Sequence, residues 1–257
     1  MNTVQNNSAH TQALPYDLTR KRVVIVGGKT GIGLGIAQAA HAAGASVTVA
    51  SRRSISVADH PELALFEQIE FDMGDEEAVR NAFAKIGKLD HLLVVAGPTD
   101  GSWGTFMDEG MEGVRSYVNS KFFGSWACAR YASSQLAADG SITFLTGGTA
   151  VRSKVGLTAV TSAFAAVEAL TRSLALELGP VRVNCIRPGF VETDLWNFLS
   201  QEDGAILREK IRTHFPAHRV GRPADIGHAA VFLMTNPFVT GTILEVSGGE
   251  QLVDWQF

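Results

Sequence analysis

The sequence RVVIVGGKTGIGLGIAQAAHAA, residues 22–43, decides the fold prediction. Arg22–Val26 is apolar and β-branched after its arginine, which is typical of a buried strand, and Gly31–Ala43 repeats apolar residues with a helical period. Glycine between a strand and a helix allows a tight turn and lets the backbone approach a pyrophosphate at the helix N-terminus. This order predicts a dinucleotide site. Its candidate binding residues are Gly27, Lys29, Thr30, Gly31, Ile32 and Gly33.

Apolar segments alternate with helical segments along the rest of the chain. The further predicted strands are Val47–Ala50, Ile69–Phe71, His91–Ala96, Ser141–Thr146, Val181–Ile186 and Ile243–Val246. The further predicted helices are Glu76–Ile86, Gly113–Ala138, Thr158–Leu178 and Ala224–Met234. Continuously apolar strands between helices are typical of a parallel sheet that is covered on both faces. The fold class is therefore α/β, with a Rossmann-type doubly wound parallel sheet in a single domain.

The composition excludes several classes of protein. The chain has 257 residues, 46% hydrophobic and 19% charged, with a net charge of -4. This hydrophobic content is enough for a sizeable core and is wrong for a disordered chain. A mildly acidic protein is not built to bind nucleic acid or anionic lipid. We expect a small-molecule substrate, and neither a nucleic-acid nor a membrane partner.

The termini, cysteines and histidines indicate the setting of the domain. Residues 1–20 are polar and have no apolar core of a secretory signal, so we predict a disordered tail before a domain at 21–257. The two cysteines, Cys128 and Cys185, lie in apolar segments and are expected to be buried thiols of a reducing compartment. The histidines show no metal-ligand spacing, so we predict no metal site. From the expected thiols and the polar N-terminal residues we predict a cytoplasmic protein.

The end of the second predicted strand distinguishes NADP from NAD. An NAD site usually carries a carboxylate there, which accepts a hydrogen bond from the ribose 2′-hydroxyl. In this chain the position is Ser51, followed by Arg52 and Arg53. Guanidinium groups can clamp a 2′-phosphate, although a solvated basic pair on a surface turn is the other interpretation. Because the pair follows the glycine loop in one βαβ unit, the sequence favours NADP(H).

Further motifs resemble those of the short-chain dehydrogenase/reductase family, from about residue 20 to 250. They are Asp72-Met73, Ala96-Gly97, Asn119, the stretch from Arg187 to Thr193, Gly221 to Ile226, and Val239 to Gly249. The resemblance implies that Asp72 and Met73 contact adenine and that Ala96 and Gly97 face the cofactor. It implies that the nicotinamide end meets Pro188, Gly189, Val191 and Thr193. Such proteins are commonly tetramers, so we expect a homo-oligomer, a dimer or a tetramer.

The positions that carry catalysis in this family are changed. Members use a serine, a tyrosine about a dozen residues later and a lysine four residues after the tyrosine. The tyrosine is the acid/base, and the lysine lowers its pKa. Aligned through the helix at 165–178, these positions are Gly147, Val160 and Phe164. None of these side chains exchanges a proton, which leaves Asn119 as the remaining catalytic candidate.

Two functions remain open on this basis. The first is an atypical NADP(H)-dependent oxidoreductase that acts on a small, apolar substrate with a proton donor other than tyrosine, or on an activated substrate such as an iminium ion. The second is a non-redox protein of the same fold: a pseudoenzyme, a sensor or a cofactor-templated cyclase. In both, residues 194–222 are expected to form a lid, and the candidate pocket aromatics are Trp103, Phe190, Trp196 and Phe198.

Overall fold

The computed structural model describes residues 16–98, 104–197 and 199–254. Residues 1–15 of the predicted tail, Trp103 and Phe198 lie outside this part of the chain. Seven strands form one sheet, and every pair of neighbours is parallel. The strands are β1 (Arg22–Val26), β2 (Ser46–Ser51), β3 (Glu67–Glu70), β4 (Leu89–Val94), β5 (Leu136–Leu145), β6 (Arg182–Pro188) and β7 (Ile243–Val246). The predicted α/β fold is confirmed.

Helices cover both faces of this sheet. They are α1 (Gly31–Ala42), α2 (Glu76–Ile86), α3 (Met111–Val118), α4 (Gly124–Ser133), α5 (Thr158–Glu177), α6 (Gln201–His214) and α7 (Pro223–Thr235). Helices α1 and α7 pack on one face of the sheet, and α2, α4 and α5 contribute to the core on the other face. Both cysteines are buried and free.

The strand order places a crevice at the carboxyl ends of the central strands. The order is β3-β2-β1-β4-β5-β6-β7, so the chain moves outward in one direction from β1 and in the other direction from β4. Ligands of open α/β sheets bind at such a switch point. The glycine loop follows β1 and therefore lies at this crevice.

The predicted helix Gly113–Ala138 is wrong at its interior and at its end. A π-helical turn, Asn119–Phe123, separates α3 from α4. Helix α4 ends at Ser133, and the last residues of the predicted helix begin β5, where Leu136 pairs with Leu89. The Leu89 amide donates a hydrogen bond to the Gln135 carbonyl at 3.1 Å. This pairing with β4 overrides the helical propensity of the local sequence.

Helix α5 is long and apolar enough to cross a membrane, with a mean hydropathy of 1.2. In the structure it packs on β6 and α3, and Val167 and Leu170 belong to the core. A core helix of an α/β sandwich meets the same criterion of length and composition, so the hydropathy of α5 is accounted for by its place in the fold.

His91 makes the core sensitive to acid. Its ring lies between strands, with Nδ1 2.9 Å from Ser141 Oγ, and burial together with the charge of Arg182 lowers its pKa to about 4. Between pH 6.5 and pH 4, His91 is protonated in the unfolded chain but stays neutral in the folded protein. The free energy of unfolding therefore falls as the pH drops through this range.

We therefore expect His91 to account for a loss of about 3 kcal/mol of unfolding free energy between pH 7 and pH 4. Urea denaturation of the wild type and of His91→Gln at both pH values measures this loss. The unfolding free energy of His91→Gln should change less between pH 7 and pH 4 than that of the wild type. The exposed His228→Gln is the control, and an equal pH dependence in all three proteins would contradict the prediction.

Candidate cofactor and active site

The glycine loop is built so tightly that side chains do not fit at Gly27 and Gly33. Gly27 has a φ of +88°, and a Cβ on it would lie 2.6 Å from the Ala96 amide nitrogen. A Cβ on Gly33 would lie 1.9 Å from the Gly27 carbonyl oxygen. These approaches bring the start of α1 against the loop and the loop against the end of β4. Gly27 thus contacts both Gly33 and Ala96, and all three residues belong to the predicted set.

The N-terminus of α1 is open to an anion. Thr30 is the N-cap residue, but among the described residues its side chain caps no backbone amide, and the first turn contains no acidic residue. A Cβ on Gly31 would lie 3.4 Å from Thr193 Cγ2, so Thr193 faces the loop across the crevice. Ile32 packs against the core beneath the loop. Free amides and the helix dipole suit a pyrophosphate at this place.

The loop after β2 is fixed by a lysine beneath it. Lys29 is 2% exposed, and its ammonium lies 3.5 Å from the Arg53 carbonyl oxygen. Ser51 Oγ donates to the same carbonyl at 2.6 Å. Arg52 and Arg53 are exposed at this rim. Lys29 and Ser51 therefore shape the loop, while the two arginines present the charge.

Asn119 lies on the same side of the crevice as the predicted adenine contacts. The Gly74 amide donates to Asp72 Oδ1 at 2.8 Å, and Met73 is buried against α4, beside Gly124. Asn119 Nδ2 donates to the Gly74 carbonyl at 2.9 Å. The structure therefore uses the Asn119 side chain to fasten the turn that contains Asp72 and Met73.

Lys121 lies in the π-helical turn Asn119–Phe123, and its side chain reaches the end of β4. It is 2% exposed; its ammonium donates to the Ala96 carbonyl at 3.0 Å and lies 5.6 Å from the centre of the Phe164 ring. Burial lowers the pKa of Lys121 to about 8. Sequence reasoning missed this residue. The available signal is a lysine in a buried stripe at helical spacing, between Tyr117 and Cys128.

The three positions that the resemblance aligns with catalysis, Gly147, Val160 and Phe164, lie close together, and Phe164 lies beside Lys121. A Cβ on Gly147 would lie 2.8 Å from Phe164 Cε2, so the phenylalanine ring occupies the space of a side chain at position 147. Val160 is buried in a small cluster with Tyr117 and Ala163, against which Phe164 packs. The residues at positions 147 and 164 are therefore sterically coupled.

The hydroxyl next to Gly147 belongs to a buried charge network. Thr146 Oγ1 donates to Glu168 Oε1 at 3.1 Å. Arg187 donates to both Glu168 oxygens, at 2.9 and 2.6 Å, and to Glu245 at 3.3 Å. These interactions fix the ends of β5 and β6. The Thr146 hydroxyl is thereby engaged in a hydrogen bond to Glu168.

A second charged pair lies at the end of β6. A Cβ on Gly189 would lie 2.6 Å from Glu250 Oε2, and the Lys154 ammonium lies 3.7 Å from Glu250 Oε1. Burial raises the pKa of the Glu250 carboxyl and lowers that of the Lys154 ammonium. The chain from Pro188 to Gly189 thus passes directly over a carboxylate that the sequence analysis did not single out.

The segment at 194–222 forms its own small core above the end of β6. Its buried residues are Leu207, Ile211 and Phe215, which pack with Phe190. The Trp196 and Phe190 ring centres are 4.4 Å apart, and Trp196 Nε1 donates to the Val191 carbonyl at 3.0 Å. Val191 also pairs with Gly221 in an isolated parallel bridge, which ties the two ends of the segment to each other.

The arrangement defines a Rossmann-type nucleotide-binding protein, because a glycine loop and an uncapped helix N-terminus meet at the switch point of a parallel sheet. The family model described as Enoyl-(Acyl carrier protein) reductase matches residues 26–251. The chain belongs to the short-chain dehydrogenase/reductase family of oxidoreductases.

Relatives and solved structures agree with this assignment. An uncharacterized oxidoreductase of Thermotoga maritima is 30% identical, over 90% of this chain and 96% of its own length. Short-chain dehydrogenase/reductase fsr5 of Gibberella fujikuroi is 27% identical, over 91% and 96%. A small-chain dehydrogenase in complex with NADPH has a TM-score of 0.80 and 31% identity, over 90% of this chain and 99% of that one. The structure of MalC Reductase/Diels-Alderase from Malbranchea aurantiaca has a TM-score of 0.83 and 25% identity, over 93% of this chain and 99% of that one.

The contact between Gly147 and Phe164 predicts a coupling that double mutants measure. Gly147→Ala should cost about 1–3 kcal/mol of unfolding free energy, because the new methyl group displaces the ring. In a Phe164→Ala background the same change should cost only a few tenths, since the space is open.

Urea denaturation of the four proteins gives this coupling energy. Gly110→Ala is the control, because a Cβ there has nothing within 4 Å. Additive effects of Gly147→Ala and Phe164→Ala would show that the ring does not fill the site.

Proposed function

We propose that this protein is an NADP(H)-dependent oxidoreductase of an atypical kind. The observation that carries the proposal is the glycine cradle at the uncapped N-terminus of α1, which is shaped for a pyrophosphate. When bound, the nicotinamide cofactor supplies a hydride to the substrate. The residues of the chain hold it: Gly27, Gly31 and Gly33 let the backbone approach the phosphates, and Thr193 closes the crevice from the other side.

The rim beside β2 supports NADP(H) over NAD(H). Ser51 leaves no carboxylate to repel a 2′-phosphate, and the exposed Arg52 and Arg53 offer two guanidinium groups to it. A similar solved structure, of a small-chain dehydrogenase, is a complex with NADPH. Asp72 and Met73 would then lie on the adenine side, and Ala96, Gly97, Pro188, Gly189 and Val191 on the nicotinamide side.

The chemistry is atypical because the serine, tyrosine and lysine positions carry Gly147, Val160 and Phe164. General acid catalysis contributes about 10²–10⁴-fold, so a reductase without the tyrosine needs another donor or a substrate that is already charged. The substrate we propose is small and apolar, and the Phe190 and Trp196 rings, whose centres are 4.4 Å apart, are the aromatic side chains that would meet it. In this proposal that segment acts as the lid over the bound substrate.

A non-redox protein of the same fold is the second candidate. One observation favours it: a similar structure, at 25% identity, is of a protein named as both a reductase and a Diels–Alderase. In that case the pocket would shape a cyclisation while the cofactor stays bound. Turnover separates the two candidates. Consumption of NADPH with any member of a broad carbonyl and imine panel supports the oxidoreductase, and tight binding without consumption supports the second candidate.

The exposed face of α4 and α5 supports a homo-oligomer. Phe123, the last residue of the π-helical turn before α4, is 57% exposed, and Trp126 of α4 is 48% exposed. On α5 the small side chains of Ser162 and Ala165 are exposed. Small residues beside exposed aromatics permit close packing of helices from a second copy of the chain, which would form a dimer or a tetramer. A cytoplasmic location remains a prediction from the sequence.

The cofactor proposal predicts a preference that the two arginines create. NADPH should bind more tightly than NADH, and the double variant Arg52→Ala/Arg53→Ala should weaken NADPH binding by about tenfold or more, because it removes charge-assisted hydrogen bonds. Binding of NADH should change little. Quenching of tryptophan fluorescence in titrations with each cofactor measures the four dissociation constants.

Arg80→Ala is the matched control, since Arg80 is an exposed arginine of α2. Equal affinity for NADPH and NADH in the wild type would overturn the preference for NADP(H). The absence of binding for both would overturn the proposed function.

A further inference from the structure

We propose that Lys121 is a cofactor-binding cation that makes the site prefer the reduced nicotinamide over the oxidised one. The inference rests on the proposed function, since it concerns the nicotinamide half of the same site.

The topology places the nicotinamide half next to Lys121. The phosphates belong at the N-terminus of α1, and the 2′-phosphate belongs at the end of β2. The remaining half of the cofactor must therefore extend the other way along the switch point, over the ends of β4, β5 and β6. Lys121 lies there, because its ammonium joins the Ala96 carbonyl after β4 to the Phe164 ring beside Gly147.

Only backbone separates this ammonium from the crevice. A Cβ on Gly97 would lie 3.4 Å from Lys121 Cδ and 3.7 Å from Lys121 Nζ. Position 97 carries no side chain, so a ligand above it approaches the charge closely. Within the described residues, the ammonium makes one hydrogen bond, to the Ala96 carbonyl.

The charge of Lys121 is not neutralised by a nearby carboxylate. The described part of the chain places no carboxylate within 4 Å of it, and Glu168 of α5 is held by Arg187. Among the other titratable groups on the packed elements, Cys185 of β6 acts electrostatically on Lys121, and Tyr117 of α3 packs in the cluster with Phe164. Burial raises the pKa of Cys185 to about 12 and raises that of Tyr117. Both stay neutral between pH 7 and pH 9.

The charge distinguishes the two redox forms of the ring. Oxidised nicotinamide carries a positive charge, and the reduced ring is neutral. Two unit charges at roughly 6 Å, in the dielectric of a partly buried site, repel strongly enough to change affinity by about tenfold or more. The adenosine and phosphate contacts are the same for both forms, so the change in the ratio of the two affinities on substituting Lys121 measures the contribution of its charge.

The test is the ratio of the dissociation constants of NADP⁺ and NADPH, measured by isothermal titration calorimetry. In the wild type at pH 7, NADPH should bind about tenfold more tightly or better. Lys121→Met should bring the ratio close to one, mainly by improving NADP⁺ binding, and Lys121→Arg should keep the preference. Lys85→Met, which removes an exposed lysine of α2, is the control and should behave as the wild type does.

The pH dependence provides a second readout on the unaltered protein. Raising the pH from 7 to 9 deprotonates Lys121, so the wild-type preference should fall, and Lys121→Met should show no such change. This arm still decides the matter if Lys121→Met does not fold.

A preference that survives both Lys121→Met and the higher pH would overturn the inference while leaving NADPH binding, and thus the proposed function, intact. Failure of the wild type to bind either cofactor would instead overturn the proposed function, and the inference with it.

Discussion

The structure depends on the contact between the start of α1 and the glycine loop. A Cβ on Gly33 would lie only 1.9 Å from the Gly27 carbonyl oxygen. Any residue other than glycine would therefore push the helix away from β1. That approach aims the uncapped amides of α1 at the crevice and presses Gly27 against Ala96. Both cores are organised around the same sheet, so one backbone contact connects the packing of the fold to its capacity for an anion.

The other half of the site combines an aromatic ring with a buried lysine. The Phe164 ring occupies the space beside Gly147, and a lysine from a different helix, Lys121, reaches the same region. A buried ammonium without a carboxylate partner costs stability, and such groups persist where function needs them. Lys121 thus brings a buried cation close to the positions that the resemblance aligns with the family's proton-transfer residues.

The sequence predicted most of the fold because most of it is local. Strand β1, helix α2 and strand β7 have the predicted bounds, since a strand period, capping by Asp75 and flanking turns are all encoded nearby. The end of the Gly113–Ala138 helix and the role of Lys121 could not be predicted in this way. The first depends on pairing with β4, and the second depends on which side chain of a π-helical turn faces Ala96.

The central claim is that the cofactor site is retained while its catalytic surroundings have been replaced. A crystal structure of the complex with NADPH tests this most directly. The account predicts the pyrophosphate on the amides of α1, and the nicotinamide ring above Gly97 with the Lys121 ammonium at roughly 6 Å. Phe164 should still lie against Gly147. A nicotinamide ring outside the crevice, or on the side of Asp72, would contradict the account.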